Sequence, residues 1–169
     1  MTRAARALRR AFDDGNDLNA REDMCVASLM GGLALANAKL GAVHGFAGPL
    51  GGMFDAPHGE ICGILLPHVI EALARSLASG NGNDEAKRRL ERVARILTGE
   101  NDATAADGVA WIRDSTDHLQ LPGLASFGIT EGDIPQIASQ AERASSMKGS
   151  PVAFTTDALQ TMLRGALNR

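Results

Sequence analysis

Leu40 to His68 reads LGAVHGFAGPLGGMFDAPHGEICGILLPH and holds three of the four histidines, three of the six prolines and seven of the 19 glycines in a chain of 169 residues. Small residues at this density let helix ends and backbones approach closely, and imidazoles set among them are candidate metal ligands. The glycines and prolines also divide the stretch. Gly41 ends a preceding helix, a third helix runs to about Phe54, and Asp55 caps a fourth that has Pro57 in its first turn. His44 then stands near the start of one helix and His58 at the start of the next, on either side of a turn, where one ion fits between two adjacent helices.

The spacing restricts the ligand set. The residue one turn past His44 is Gly48, so that helix offers a single imidazole. His68 follows His58 by about 15 Å of helical rise and on another face, with Pro67 before it as a potential helix break, and it falls outside any shared shell. Two imidazoles are fewer than the protein ligands that zinc and iron sites use, and no neighbouring Asp or Cys completes a recognised local motif. Asp55 and Glu60 read as cap and first-turn charges. On spacing alone, His44 and His58 are read as satisfied core histidines, with a metal pair as the alternative.

Composition fixes the class. The chain is 44% hydrophobic but 4% aromatic and has no Tyr, so its core must be built from Ala, Leu, Ile, Val and Met, which suits close-packed helices. The expected fold is all-α, one domain over 1–169 with about seven or eight helices. Thr2 to Phe12 is the first, with Arg3, Arg6, Arg9 and Arg10 as a solvated face. Asn19 and Glu22 form a capping box for a helix from Ala20 to about Lys39, which is apolar nearly all round and is expected to be the buried central helix, with Gly31 and Gly32 at a close helix crossing. Gly80 to Asn83 is a loop, and a basic amphipathic helix follows from Asp84 to about Leu97. A helix from Thr104 to Leu119 carries Trp111 as an inward anchor and His118 at its dipole-favoured end. Thr130 and Asp133 cap a helix to about Ala144, a turn spans Ser145 to Pro151, and Thr155 or Thr156 caps a last helix through Leu167.

Several function classes are excluded by what is missing. A net charge of −3 and a pI of 5.8 provide no basic face for nucleic acid. No run approaches a membrane span, and the start MTRAARALRR has no apolar segment after its charges, so a cytoplasmic chain without membrane contact is expected. Cys25 and Cys62 do not form a CxxC unit and read as buried thiols. There is no glycine-rich phosphate loop after a strand and no nucleophile motif.

Gly41-Ala42-Val43-His44-Gly45, Pro49-Leu50-Gly51-Gly52, Pro57-His58-Gly59 and Leu65-Leu66-Pro67-His68, in that order and spacing, resemble the signature region of the iron-dependent (group III) alcohol dehydrogenases, relatives of glycerol dehydrogenase, lactaldehyde reductase and maleylacetate reductase. The resemblance implies the helical C-terminal domain of the dehydroquinate synthase-like fold, without the N-terminal domain that binds NAD(P). It makes His44 and His58 metal ligands for Fe(II) or Zn(II), held weakly because the family's Asp and third His would lie before Met1. It places Gly48, Phe54 and Ser146 at the substrate cleft, with Gly48 standing where many members have a histidine. The function implied is the metal-binding, substrate-side domain of an NAD(P)-dependent alcohol dehydrogenase, inactive alone. Its partner would be a separate nucleotide-binding domain or subunit, and a homo-oligomer is compatible with the same reading. The alternative is a non-catalytic helical remnant that serves as an interaction module.

Overall fold

The computed structural model describes residues 1–81 and 84–168, so Gly82 and Asn83 of the expected loop lie outside the described residues. Among the described residues there are eight α-helices and no strand, in agreement with the all-α expectation. They are α1 Thr2–Asp13, α2 Leu18–Asn37, α3 Ala42–Met53, α4 His58–Ala78, α5 Asp84–Thr98, α6 Ala105–His118, α7 Ile134–Arg143 and α8 Thr156–Leu167. Short 3-10 turns cover Leu124–Phe127, Glu131–Asp133 and Ser145–Gly149. The chain forms two compact units, Met1–Ala38 with Arg88–Leu119 and Lys39–Lys87 with Gln120–Arg169.

In the first unit, Arg3, Arg6 and Arg10 of α1 are exposed, as their spacing predicts, and Arg9 is half-buried, but all four also meet acids or rings brought by other parts of the chain. Arg3 and Arg6 both pair with Asp23 of α2, a buried carboxylate. Arg10 reaches Asp17 at 2.6 Å. Arg9 lies over the Trp111 ring, 5.2 Å from its centroid, donates to Ser115 Oγ at 2.8 Å, and pairs with Asp114 at 2.8 Å. Trp111 is thus half-buried beneath a cation rather than an apolar anchor. His118 Nε2 sits 2.7 Å from Asp13 Oδ1. Helical periodicity reveals a charged stripe but not the acids that another element brings to it.

Two expectations for α2 are overturned here. Its cap is Asp17, whose side chain accepts from the Ala20 N–H at 3.0 Å, rather than Asn19 with Glu22. Nor is α2 a buried central helix: only Ala20 and Asp23 are buried, and Leu29, Met30, Leu33 and Leu35 are exposed. Gly31 and Gly32 have open space where a Cβ would stand, so no close crossing explains them. An apolar pattern all round a helix expresses a capacity for neighbours on every side, and α2 finds its partner in this unit in α1. The close crossing lies elsewhere, at Gly108 of α6, where a Cβ would come 2.8 Å from the Ala94 Cβ and 3.0 Å from its Cα.

The core of the second unit is a single cluster. Phe46 and Leu50 of α3, Ile61, Ile64 and Leu65 of α4, Ile134 and Ile137 of α7, and Leu159 and Leu163 of α8 all belong to it. α3 packs on α4, on α7 and on the Ser145–Gly149 turn, while α8 packs on α4 and α7. Pro67 does not break α4, which runs through it for 21 residues with Pro67 buried. Contrary to the expectation that no segment approaches a membrane span, α4 is long and apolar enough to be one by length and composition. In the structure its Ile61, Ile64, Leu65 and Val69 are core residues. The Thr130–Asp133 capping box and the Thr155 cap of α8 form as the sequence predicts.

Two outcomes follow from the first unit. Asp23 is held down to about 2 by its hydrogen bonds with Arg6 and then Arg3, against the opposing effect of burial. A depressed carboxyl contributes stability that is present above its ordinary value of about 4 and lost as pH falls through its folded value. Thermal melts should therefore show stability draining between roughly pH 4 and pH 2, and Asp23→Asn should flatten that slope. Gly108→Ala should lower stability by about 1–3 kcal/mol, because its clash is with backbone and a short side chain that cannot swing away.

Candidate metal centre

The sequence builds this site by turning the chain back on itself. Gly41 precedes α3 in extended conformation, and its carbonyl accepts from the Gly45 N–H at 3.0 Å, so His44 falls in the first turn. At the far end the Phe54 N–H closes on the Leu50 carbonyl at 2.9 Å, and Phe54 itself is extended. Pro57, with φ −60° and ψ 128°, stands as the residue before α4, so His58 is its first residue. Asp55 is therefore not the cap expected from the sequence: it lies two residues too early and is exposed.

The result is a cluster of three donors. The His44 and His58 rings have centroids 5.4 Å apart at 52°. Cys62, one turn past His58, puts its Sγ 3.5 Å from His58 Nε2. One ligand atom from each of His44, His58 and Cys62 lies within 4.8 Å of the others. His44 and Cys62 are half-buried and His58 is exposed, so the site is open on one side. Cys62 forms no recognised local motif with the histidines, yet the fold brings its sulfur within reach of both. The signal was the i, i+4 spacing of His58 and Cys62, which shares a helix face. His68 belongs to another environment, against Gly165 of α8, where a Cβ would meet its Nδ1 at 2.7 Å.

Electrostatics favours neutral imidazole. Burial, and then the neighbouring His58, push the His44 pKa below the ordinary histidine value, which leaves a lone pair free for a cation at neutral pH. Burial raises the Cys62 thiol, so without a cation it stays protonated. Two nitrogens and a sulfur within reach of one point suit a transition-metal ion and do not suit the oxygen-seeking Mg²⁺ or Ca²⁺.

Of the other residues singled out in the sequence, Gly48 is exposed with open space about it, Phe54 is half-buried against the core, and Ser146 is half-buried in the 3-10 turn. A largely apolar cavity of about 470 Å³ opens beside the donors, with His44 and Cys62 in its wall and Val43, Leu66, Ile70, Leu73 and Phe154 around it. The Ser145–Pro151 turn contributes Ser150 and Pro151 to that wall. The same turn sets the start of α3: a Cβ on Gly149 would overlap the Leu40 carbonyl oxygen, and one on Gly45 would press on Met147.

The model of the C-terminal region of the Fe-containing alcohol dehydrogenase family matches residues 1–167. The chain belongs to that family. Among its relatives, the 1,3-propanediol dehydrogenase of Klebsiella pneumoniae is 39% identical over 139 residues, which is 81% of this chain and 35% of that one. Alcohol dehydrogenase 4 of Saccharomyces cerevisiae (strain ATCC 204508 / S288c) is 31% identical over 157 residues, 92% of this chain and 39% of that one. A crystal structure of 1,3-propanediol oxidoreductase superposes with a TM-score of 0.82 at 32% identity, covering 98% of this chain and 43% of the other. The chain thus spans well under half the length of these relatives.

The contact between Gly149 and Leu40 gives a direct test of how the site is held. Gly149→Ala should cost about 1–3 kcal/mol or more, since the obstacle is backbone, and should weaken zinc binding measured by calorimetry. Gly52→Ala, which meets nothing within 4 Å, is the matched control and should leave zinc binding unchanged and gain up to about 0.5–1 kcal/mol of stability, the size of the helix preference for Ala.

Proposed function

We propose that this chain is the metal-binding, substrate-side domain of an NAD(P)-dependent alcohol dehydrogenase, with His44 and His58 as ligands and turnover dependent on a nucleotide-binding domain. The observation that carries the reading is the pairing of the two imidazoles from the first turns of adjacent helices, in a chain of the Fe-containing alcohol dehydrogenase family. When bound, an iron or zinc ion supplies Lewis-acid polarisation of the alcohol or carbonyl oxygen.

The chain's own residues then have distinct parts. His44 and His58 present ring nitrogens from the first turns of α3 and α4, which fixes where a substrate oxygen can stand. The apolar wall formed by Val43, Leu66, Ile70 and Phe154 receives the carbon skeleton and keeps water from it. Gly48, Phe54 and Ser146 remain in the proposal as residues of the cleft edge, where an open Gly48 leaves proton movement to water. The exposed apolar residues Leu29, Met30, Leu33 and Leu35 of α2 support a surface covered by protein, which in this reading is the nucleotide-binding domain.

Two measurements check the reading. Zinc titrated into the chain should bind at one site, and the double variant His44→Ala, His58→Ala should abolish it with the helical circular dichroism unchanged. The chain alone, with NAD or NADP and 1,3-propanediol, should show no turnover, and activity should appear only when a nucleotide-binding domain of the family is added. If the added domain never yields activity although zinc binds, the non-catalytic interaction module is the better reading.

A further inference from the structure

We infer that Cys62 is itself a metal ligand, so that His44, His58 and Cys62 form a two-nitrogen, one-sulfur set that favours zinc over iron in this chain. The inference rests on the reading of His44 and His58 as ion-binding residues and adds to it a third donor and a choice of metal.

A tetrahedral zinc ion with bonds of about 2.0–2.1 Å to nitrogen and about 2.3 Å to sulfur holds those two donors roughly 3.5 Å apart. His58 Nε2 and Cys62 Sγ are 3.5 Å apart, on successive turns of one helix whose backbone keeps the two side chains on one face. The His44 ring approaches from α3, with all three donor atoms within 4.8 Å, so small side-chain rotations complete the set.

The surroundings favour the same assignment. His44 and Cys62 both form part of the wall of the apolar cavity, so an ion at this point keeps a position open toward the space where a substrate would lie. Binding requires that the thiol release its proton to solvent as the sulfur–metal bond forms, leaving a thiolate whose negative charge the two imidazoles lack. Thiolate is a soft donor, and together with the higher place of zinc in the divalent affinity series it shifts preference away from Fe(II).

Cobalt(II) is the probe, because a thiolate bound to it gives a sulfur-to-metal charge-transfer band that imidazole does not. The 169-residue chain, reduced and anaerobic, should take up one cobalt ion with that band. The band should persist in Cys25→Ser and vanish in Cys62→Ala. Loss of even a group that supports a ligand typically costs about 10–100-fold in metal affinity, so Cys62→Ala should weaken zinc by at least about tenfold and shrink the preference for zinc over Fe(II). Circular dichroism shows whether the variant is folded, and Cys62→Ser provides a polar, near-isosteric second variant. Cobalt uptake that disappears in the His44→Ala, His58→Ala double variant, but shows no charge-transfer band and is indifferent to Cys62→Ala, would overturn the inference while leaving the histidine reading in place. Absence of saturable binding of cobalt or zinc by the unaltered chain would overturn both.

Discussion

The site depends on the short connection between α3 and α4. From His44 to the end of α3 the helix advances about 13–14 Å, and residues 54–57, extended at Phe54 and Pro57 and turned between them where the Ala56 N–H meets the Phe54 carbonyl at 3.0 Å, bring the chain back, since the His44 and His58 rings stand 5.4 Å apart. The chain therefore begins α4 beside the start of α3 instead of at its end. Two helix starts are brought side by side, each with a histidine in its first turn. The helix contributes one more donor at no further cost in chain, since Cys62 follows His58 by one turn. Small residues are needed wherever this doubling back crowds the backbone, as at Gly45 against Met147 and at Gly149 against the Leu40 carbonyl.

What holds the doubled chain is ordinary packing. Phe46, Leu50, Ile61 and Leu65 project from α3 and α4 into a cluster shared with α7 and α8, so the apolar faces behind the histidines fix the two helices before any ligand arrives. The donors themselves stay half-buried or exposed. The first unit is tied differently, by arginines of α1 that converge on Asp23 and by Arg9 over Trp111. Charge pairing there replaces part of the apolar contact that α2, with its exposed leucines, does not make in this unit.

Legibility in the sequence follows the range of the interaction. Local rules were readable: the composition gives helices, and the capping box at Thr130 and the cap at Thr155 sit where turn chemistry puts them. The blocks around His44 and His58 are legible because each is a short motif at fixed spacing. Long-range facts were not. Nothing in the α1 pattern names Asp23 as the partner of Arg3 and Arg6, and nothing in the α2 pattern says that its apolar faces stay exposed. Pro67 reads as a break locally, yet the packing of Ile64, Leu65 and Val69 carries the helix through it. Cys62 lies between the two cases, since its helical spacing from His58 was visible but its role needed the approach of α3.

The central claim is that one ion is held jointly by the first turns of α3 and α4. Nitrogen-detected histidine NMR during a zinc titration tests it most directly, because each imidazole reports its own protonation and ligation. The expected result is that the ring signals of His44 and His58 move together, complete at one equivalent, while those of His68 and His118 stay where they were. Movement of a single imidazole, or parallel drift of all four, would contradict the shared site.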